Sequence, residues 1–109
     1  MDLNLVGLNH KTAPIEIREK FVFSHDMLSH VLKDLKLKTG AEALILSTCN
    51  RTEIYFRVND PNEIYKWLAT FNKIKFTELK EYLYTFSNQD CYVNACKVAS
   101  GLDLSLIHI

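Results

Sequence analysis

The sequence predicts an α+β fold: a ferredoxin-like, four-stranded antiparallel sheet with helices packed on one face, plus a C-terminal helix. Three observations predict it. Residues 3–8, 43–46, 53–58 and 82–86 have the length and patterning of strands. The stretches between and after them carry apolar residues at helical spacing. The two middle strands are separated only by the polar block 47–52, too short for a crossover helix, so they form an antiparallel hairpin.

Residues 3–8, LNLVGL, are mostly apolar and are bounded by Asn9, His10 and Lys11, as in a buried opening strand. Thr12, Ala13 and Pro14 read as a helix start, with Thr12 or Ala13 as cap and the proline in the first turn, ahead of Ile15, Ile17 and Phe21. Ser24 is placed to cap a second helix, in which Leu28, Val31, Leu32 and Leu35 make one apolar stripe that ends near Gly40. Residues 43–46, ALIL, are continuously apolar. Residues 53–58, EIYFRV, alternate Ile54, Phe56 and Val58 against Glu53, Tyr55 and Arg57.

Asp60 as cap, Pro61 at the first helical position and Glu63 in the first turn open a helix whose stripe is Ile64, Trp67, Leu68 and Phe71. Residues 82–86, YLYTF, are aromatic and suited to a strand. Residues 87–90, SNQD, resemble a capping box leading to a last helix with Tyr92, Ala95, Cys96 and Ala99 on one face, stopping at Gly101.

A length of 109 residues holds one domain with a single modest core. Lys plus Arg and Asp plus Glu total 13 each, so the zero net charge disfavours a basic nucleic-acid-binding domain. With 48% hydrophobic residues the chain can offset the entropy of folding. Three cysteines are too few for a disulfide scaffold and include no C-x2-C zinc pair, so reduced thiols and no metal are expected, and the first residues lack a basic region followed by an apolar stretch, so the expected address is the cytoplasm. No apolar run approaches the roughly 20 residues that span a bilayer, and no membrane association is expected. Gly7 and Gly40 are isolated, so no nucleotide-cradling glycine loop is encoded.

The residues themselves point to one chemical centre, the block STCNRT at 47–52. A cysteine is usually a small core hydrophobe, yet Cys49 stands among polar residues at a predicted hairpin end. Residues two apart face one side of an extended chain, so Arg51 would favour the thiolate of Cys49, unless the turn breaks that parity. The block reads either as a reactive thiol or as a turn cysteine without chemistry. Arg51 likewise reads either as a solvated arginine or as a two-point clamp for a carboxylate. Thr48, Asn50 and Thr52 are ordinary turn residues, and their concentration around Cys49 is the signal.

Elsewhere the residues offer less. His10 follows the first strand at an end of the sheet shared with a hairpin loop. It is a candidate proton carrier or pocket wall, set against the commoner exposed histidine. His25 and His30 do not share a helix face as metal ligands. Cys91 and Cys96, five positions apart, cannot pair locally, and core packing accounts for Cys96. The strand aromatics Tyr55, Phe56, Tyr82, Tyr84 and Phe86 read first as core. The alternative is a non-catalytic ferredoxin-like module that binds RNA or protein.

Four segments, GLNHKTAP at 7–14, REKF at 18–21, STCNRTEIY at 47–55 and VASGLD at 98–103, together resemble the N-terminal catalytic domain of glutamyl-tRNA reductase. They stand in family order and span nearly the whole chain. On this resemblance residues 1–103 are that domain, and residues 104–109 are a tail left by cloning or truncation. The resemblance implies NADPH-dependent reduction of glutamyl-tRNA(Glu) to glutamate-1-semialdehyde through a cysteine thioester. This is the first step of the five-carbon route to 5-aminolevulinate and tetrapyrroles. It implies that NADPH is bound by a domain absent from this chain, that the full-length enzyme is a homodimer, and that glutamate-1-semialdehyde aminomutase is a partner.

Residue by residue, the resemblance aligns Cys49 with the family nucleophile and Arg51 with the arginine that recognises the substrate glutamate. Thr48 and Asn50 line the same pocket, and Ser105 stands for a family serine with a one-residue shift. Two departures accompany it. Asn94 stands where the family carries a histidine a few residues before V-A-S-G, and an amide cannot take over proton transfer, so the base is unassigned. His10 and Asn94 are therefore kept as pocket candidates. After Asp103 the chain reads LSLIHI, where the family continues with serine and then a G-E-P-Q segment.

Overall fold

The computed structural model of the chain describes residues 2–48, 50–100 and 107–108. Its strands are β1 (Leu3–Asn9), β2 (Glu42–Ser47), β3 (Arg51–Arg57), β4 (Tyr84–Ser87) and β5 (Ile107–His108). Its helices are α1 (Ile15–Arg18), α2 (His25–Thr39), α3 (Pro61–Phe71), α4 (Phe76–Leu79) and α5 (Gln89–Ser100), with a 3-10 turn over Glu19–Phe21 after α1. The sheet order is β4-β1-β3-β2-β5, with every neighbouring pair antiparallel. The first four strands have the ferredoxin-like order, and β2 and β3 form the expected hairpin. β5 is an addition, pairing Ile107 and His108 with Leu46 and Ile45 at the β2 edge.

Local chemistry explains the element ends. Pro14 precedes α1 at the cap position rather than lying within its first turn. Gly40 closes α2 at φ 75°, a left-handed conformation that glycine adopts without strain, and its N–H donates to Lys36 O at 2.8 Å. Asp60 caps α3 by accepting from the Asn62 N–H at 3.0 Å, with Pro61 following. α4 had no signature in the sequence, because a single turn is too short to display a period.

Directly paired residues of an antiparallel ladder share a face. The pairs Val6–Ile54, Ile45–Ile54, Ala43–Phe56 and Leu8–Thr52 therefore define one side of the sheet. There Val6, Leu8, Ile45, Ile54 and Phe56 join one core with Leu28, Val31 and Leu35 of α2 and Ile64, Trp67 and Leu68 of α3. Trp67 Nε1 donates to Asp34 Oδ2 at 2.8 Å and ties α3 to α2. That bond, helped by Lys38, holds the Asp34 carboxyl below its usual range.

α5 lies on the opposite face, across β4 and β1. Its inward residues are Cys91, which is 0% exposed, and Asn94, whereas Tyr92, Ala95 and Cys96 of the predicted stripe are exposed. An inward face that carries an amide defeats an apolar-period reading, which picked the wrong side of the helix. The thiol of Cys91, not that of Cys96, is thus the packed one. It points at the carbonyls of Phe86 and Leu3, 3.4 and 3.6 Å away, and burial pushes its pKa up. The capping role given to Ser87 is also replaced, since its hydroxyl donates to Asn4 Oδ1 at 3.1 Å across the sheet. No described helix is long and apolar enough to cross a membrane.

Candidate active site

The block STCNRT is divided by strand parity. Ser47 and Thr52 face the core: Phe23 N donates to Ser47 Oγ at 3.0 Å, and Thr52 Oγ1 donates to Phe21 O at 2.8 Å. Because the single proton of Thr52 is thereby committed, the 3.3 Å contact between the two hydroxyls has Ser47 as donor. These buried bonds fasten the hairpin to the segment after α1. Thr48 shapes the loop itself, accepting from the N–H groups of Asn50 and Arg51 at 3.2 and 3.1 Å.

The loop after β1 docks beside it. Asn9 Oδ1 accepts from the N–H groups of Lys11 and Thr12 at 2.9 and 3.1 Å, and His10 N–H donates to Asn50 O at 3.1 Å. The two polar clusters thus meet at one end of the sheet, with His10 and Asn50 exposed and Asn9 paired directly with Arg51. Cys49 and Ser105 lie outside the described residues.

On the α5 face, parity brings Arg51, Glu53, Tyr55, Tyr84 and Asn94 together. Glu53 is 0% exposed, yet its carboxylate is well supplied with donors. Oε1 accepts from Tyr55 OH at 3.1 Å. Oε2 accepts from Tyr84 OH at 2.5 Å, Asn94 Nδ2 at 2.9 Å and Arg51 Nη1 at 3.2 Å. Asn94 Nδ2 also donates to Tyr55 OH at 3.1 Å. Burial, followed by the charge of Glu53, pushes the Tyr55 phenol up to about 12 and the Tyr84 phenol further still. Both therefore stay protonated donors near neutral pH.

Beside this cluster opens a pocket of about 200 Å³ lined by Asn9, Arg51, Tyr84, Phe86, Asn94 and Lys97. Its walls carry two cationic side chains, two amides and two aromatic rings, with Glu53 withdrawn behind them. That lining suits a small anion with an extended body. Arg51 is not a solvated arginine: its side chain is only 21% exposed, and Nη1 to Glu53 is its one hydrogen bond or ion pair among the described residues. The remaining guanidinium donors have no partner among the described residues and suit a ligand carboxylate.

The profile described as "Glutamyl-tRNAGlu reductase, N-terminal domain" matches residues 6–108. The chain belongs to the glutamyl-tRNA reductase family. It is 47% identical over 104 residues to the glutamyl-tRNA reductase of Neisseria gonorrhoeae, covering 94% of this chain and 25% of that protein. With the glutamyl-tRNA reductase of Aromatoleum aromaticum the identity is 46% over the same share of both chains. The structure of glutamyl-tRNA reductase from Methanopyrus kandleri aligns with a TM-score of 0.64 at 25% identity, over 93% of this chain and 23% of that one. The chain thus spans about a quarter of the length of these relatives.

Within this glutamyl-tRNA reductase domain, the structure brings Arg51, Asn94 and Asn9 to one pocket and sets His10, Thr48 and Asn50 at its loop end. The residues missed by sequence reasoning are Glu53, Tyr84, Tyr55 and Lys97. Glu53 was masked by the alternation that makes it look like a solvent-facing strand residue. One clue was available: Gly7 in mid-strand, a position where glycine marks a close approach.

Proposed function

We propose that this domain performs the acyl-transfer half of glutamyl-tRNA reduction. Arg51 grips the side-chain carboxylate of the glutamyl group through two parallel hydrogen bonds, with Lys97 adding positive charge to the pocket. The Cys49 thiolate attacks the ester carbonyl, the terminal ribose oxygen leaves with tRNA(Glu), and glutamate remains as a thioester. Thr48 and Asn50 shape the loop that carries the nucleophile, and His10 stands beside that loop; Ser105 is given a substrate role by the family resemblance alone. Asn94 cannot carry a proton, so the leaving ribose oxygen takes its proton from another group, with His10 the candidate beside the loop, or from water.

NADPH does not fit these residues. The pocket of about 200 Å³ is too small for a dinucleotide, and Gly7 and Gly40 sit in a strand and at a helix end rather than in a phosphate loop. No step of this domain runs through it. NADPH, if held by another part of the whole protein, would supply the hydride that turns the thioester into glutamate-1-semialdehyde for tetrapyrrole synthesis. The same reading makes that protein a cytoplasmic homodimer passing its aldehyde to glutamate-1-semialdehyde aminomutase.

The observation that carries this reading is an arginine held by a buried carboxylate at an anion-suited pocket, beside the loop whose sequence is STCNRT. Cys49→Ser in the full-length protein tests it. With radiolabelled glutamyl-tRNA and no NADPH, the unmodified protein acquires protein-bound label and the variant none. With NADPH, the variant forms no aldehyde. Aldehyde formation undiminished in Cys49→Ser refutes the proposal.

A further inference from the structure

We propose that Tyr84 is a positioning residue for substrate selection. Its hydroxyl, passed over Gly7, occupies the Glu53 carboxylate so that Arg51 keeps donors directed to the carboxylate of a bound glutamyl group. This deepens the reading of the pocket given above and rests on it.

The three residues form one row across the sheet. Gly7 of β1 pairs directly with Tyr84 of β4 on one side and with Glu53 of β3 on the other. A Cβ on Gly7 would stand 2.9 Å from both Cζ and Oη of Tyr84 and 3.0 Å from Cγ of Glu53. Only a residue without a side chain lets the tyrosine ring reach across β1 and place its hydroxyl 2.5 Å from Glu53 Oε2.

The charge argument runs through the same oxygen. An arginine beside an otherwise unoccupied carboxylate pairs with it at two points, which turns both terminal nitrogens away from any other anion. Here neutral donors from Tyr84, Asn94 and Tyr55 fill most of the acceptor positions of Glu53. Arg51 contributes one bond through Nη1, the longest of the four at 3.2 Å. The carboxylate still orients the guanidinium without absorbing it. Of the neutral donors, Tyr84 makes the shortest bond, so its loss most increases the hold of Glu53 on Arg51.

Tyr84→Phe removes the hydroxyl and keeps the ring that walls the pocket. In the full-length enzyme it is expected to raise KM for glutamyl-tRNA about tenfold with little change in kcat, the low end of the effect of one hydrogen bond to a charged group. Turnover of glutaminyl-tRNA, which lacks the side-chain carboxylate, should change far less, so the selectivity ratio falls. Glutarate, titrated as a catalysis-free probe of Arg51, should bind about tenfold more weakly to the variant. Gly7→Ala, which displaces the ring while leaving its hydroxyl intact, should reproduce both shifts. Equal loss on both tRNA substrates, or glutarate affinity unchanged by Tyr84→Phe, overturns the proposal. Aldehyde formation surviving in Cys49→Ser overturns the acyl-transfer reading instead, so the two failures are distinguishable.

Discussion

On one face of the sheet, Val6, Leu8, Ile45, Ile54 and Phe56 meet α2 and α3. On the other, Leu5, Gly7, Glu53 and Tyr55 meet α5. Both faces are interior, but they are stabilised differently. The first relies on apolar area, which is non-directional and tolerates repacking. The second relies on a carboxylate whose acceptor positions are filled by particular donors, which is directional and fails when one partner is lost. The difference shows how a small domain holds a functional group in place: the apolar face supplies most of the folding free energy, and the polar face fixes where Arg51 points.

The largest expected effect separates buried from solvated carboxylates. Glu53→Ala leaves the partly buried Arg51 and the donors of Tyr55, Tyr84 and Asn94 without their acceptor, at a cost of about 3–5 kcal/mol of unfolding free energy. Ile54→Ala, one residue on and facing the other way, costs about 2–5 kcal/mol through its cavity but should leave selectivity for the glutamyl group intact. Urea unfolding of both variants checks this. A Glu53→Ala cost near zero would mean that the polar face behaves as surface.

That contrast also explains what could be read from the sequence. Alternation and helical spacing identify which residues share a side, and this was enough for β1 to β4, α2 and α3. Spacing does not say whether the polar side is wet. Glu53 therefore reads as a solvent-facing residue and Tyr55 as plain core, and the apolar stripe of α5 is its exposed one, Tyr92, Ala95 and Cys96, in place of Cys91 and Asn94. The loop STCNRT stands out in the sequence because polar residues concentrate there. The division of labour within it does not, because Ser47 and Thr52 differ from Thr48 only in which way the strand turns them.

Ser47 sharpens the comparison inside a single motif. It belongs to the block STCNRT by sequence and to the core by orientation, where it accepts from Phe23 N–H. Ser47→Ala should cost about 1–3 kcal/mol by stranding that donor, measured by urea unfolding. The ratio of glutamyl to glutaminyl turnover should not move.

pH separates the faces next. Tyr55, raised to about 12 from 10.0, and Tyr84, raised further, bind protons more tightly folded than unfolded. Their contribution is complete below pH 10; that of Tyr55 is lost as pH rises through about 12, and that of Tyr84 at higher pH still. On the apolar side Asp34 is lowered from 3.8, so its contribution is present above that value and lost as pH falls below it. Urea midpoints should therefore drop with rising alkalinity, and Tyr55→Phe should flatten that drop without altering the acid limb.

The smallest expected effect comes from an ion pair outside both faces. Lys36 Nζ and Glu42 Oε1 are 3.2 Å apart, the same separation as Arg51 Nη1 and Glu53 Oε2. Their side chains, however, are 61% and 85% exposed. Water and salt screen such a pair, and holding two long side chains together costs rotamer entropy. Lys36→Met should therefore change stability by about 0–1 kcal/mol, and by less in high salt. With distance matched, burial and the neutral donors that surround Glu53 separate the two pairs. If Lys36→Met cost as much as Glu53→Ala, the weight placed on the dry, donor-filled environment of Glu53 would be misplaced, and proximity alone would account for both pairs.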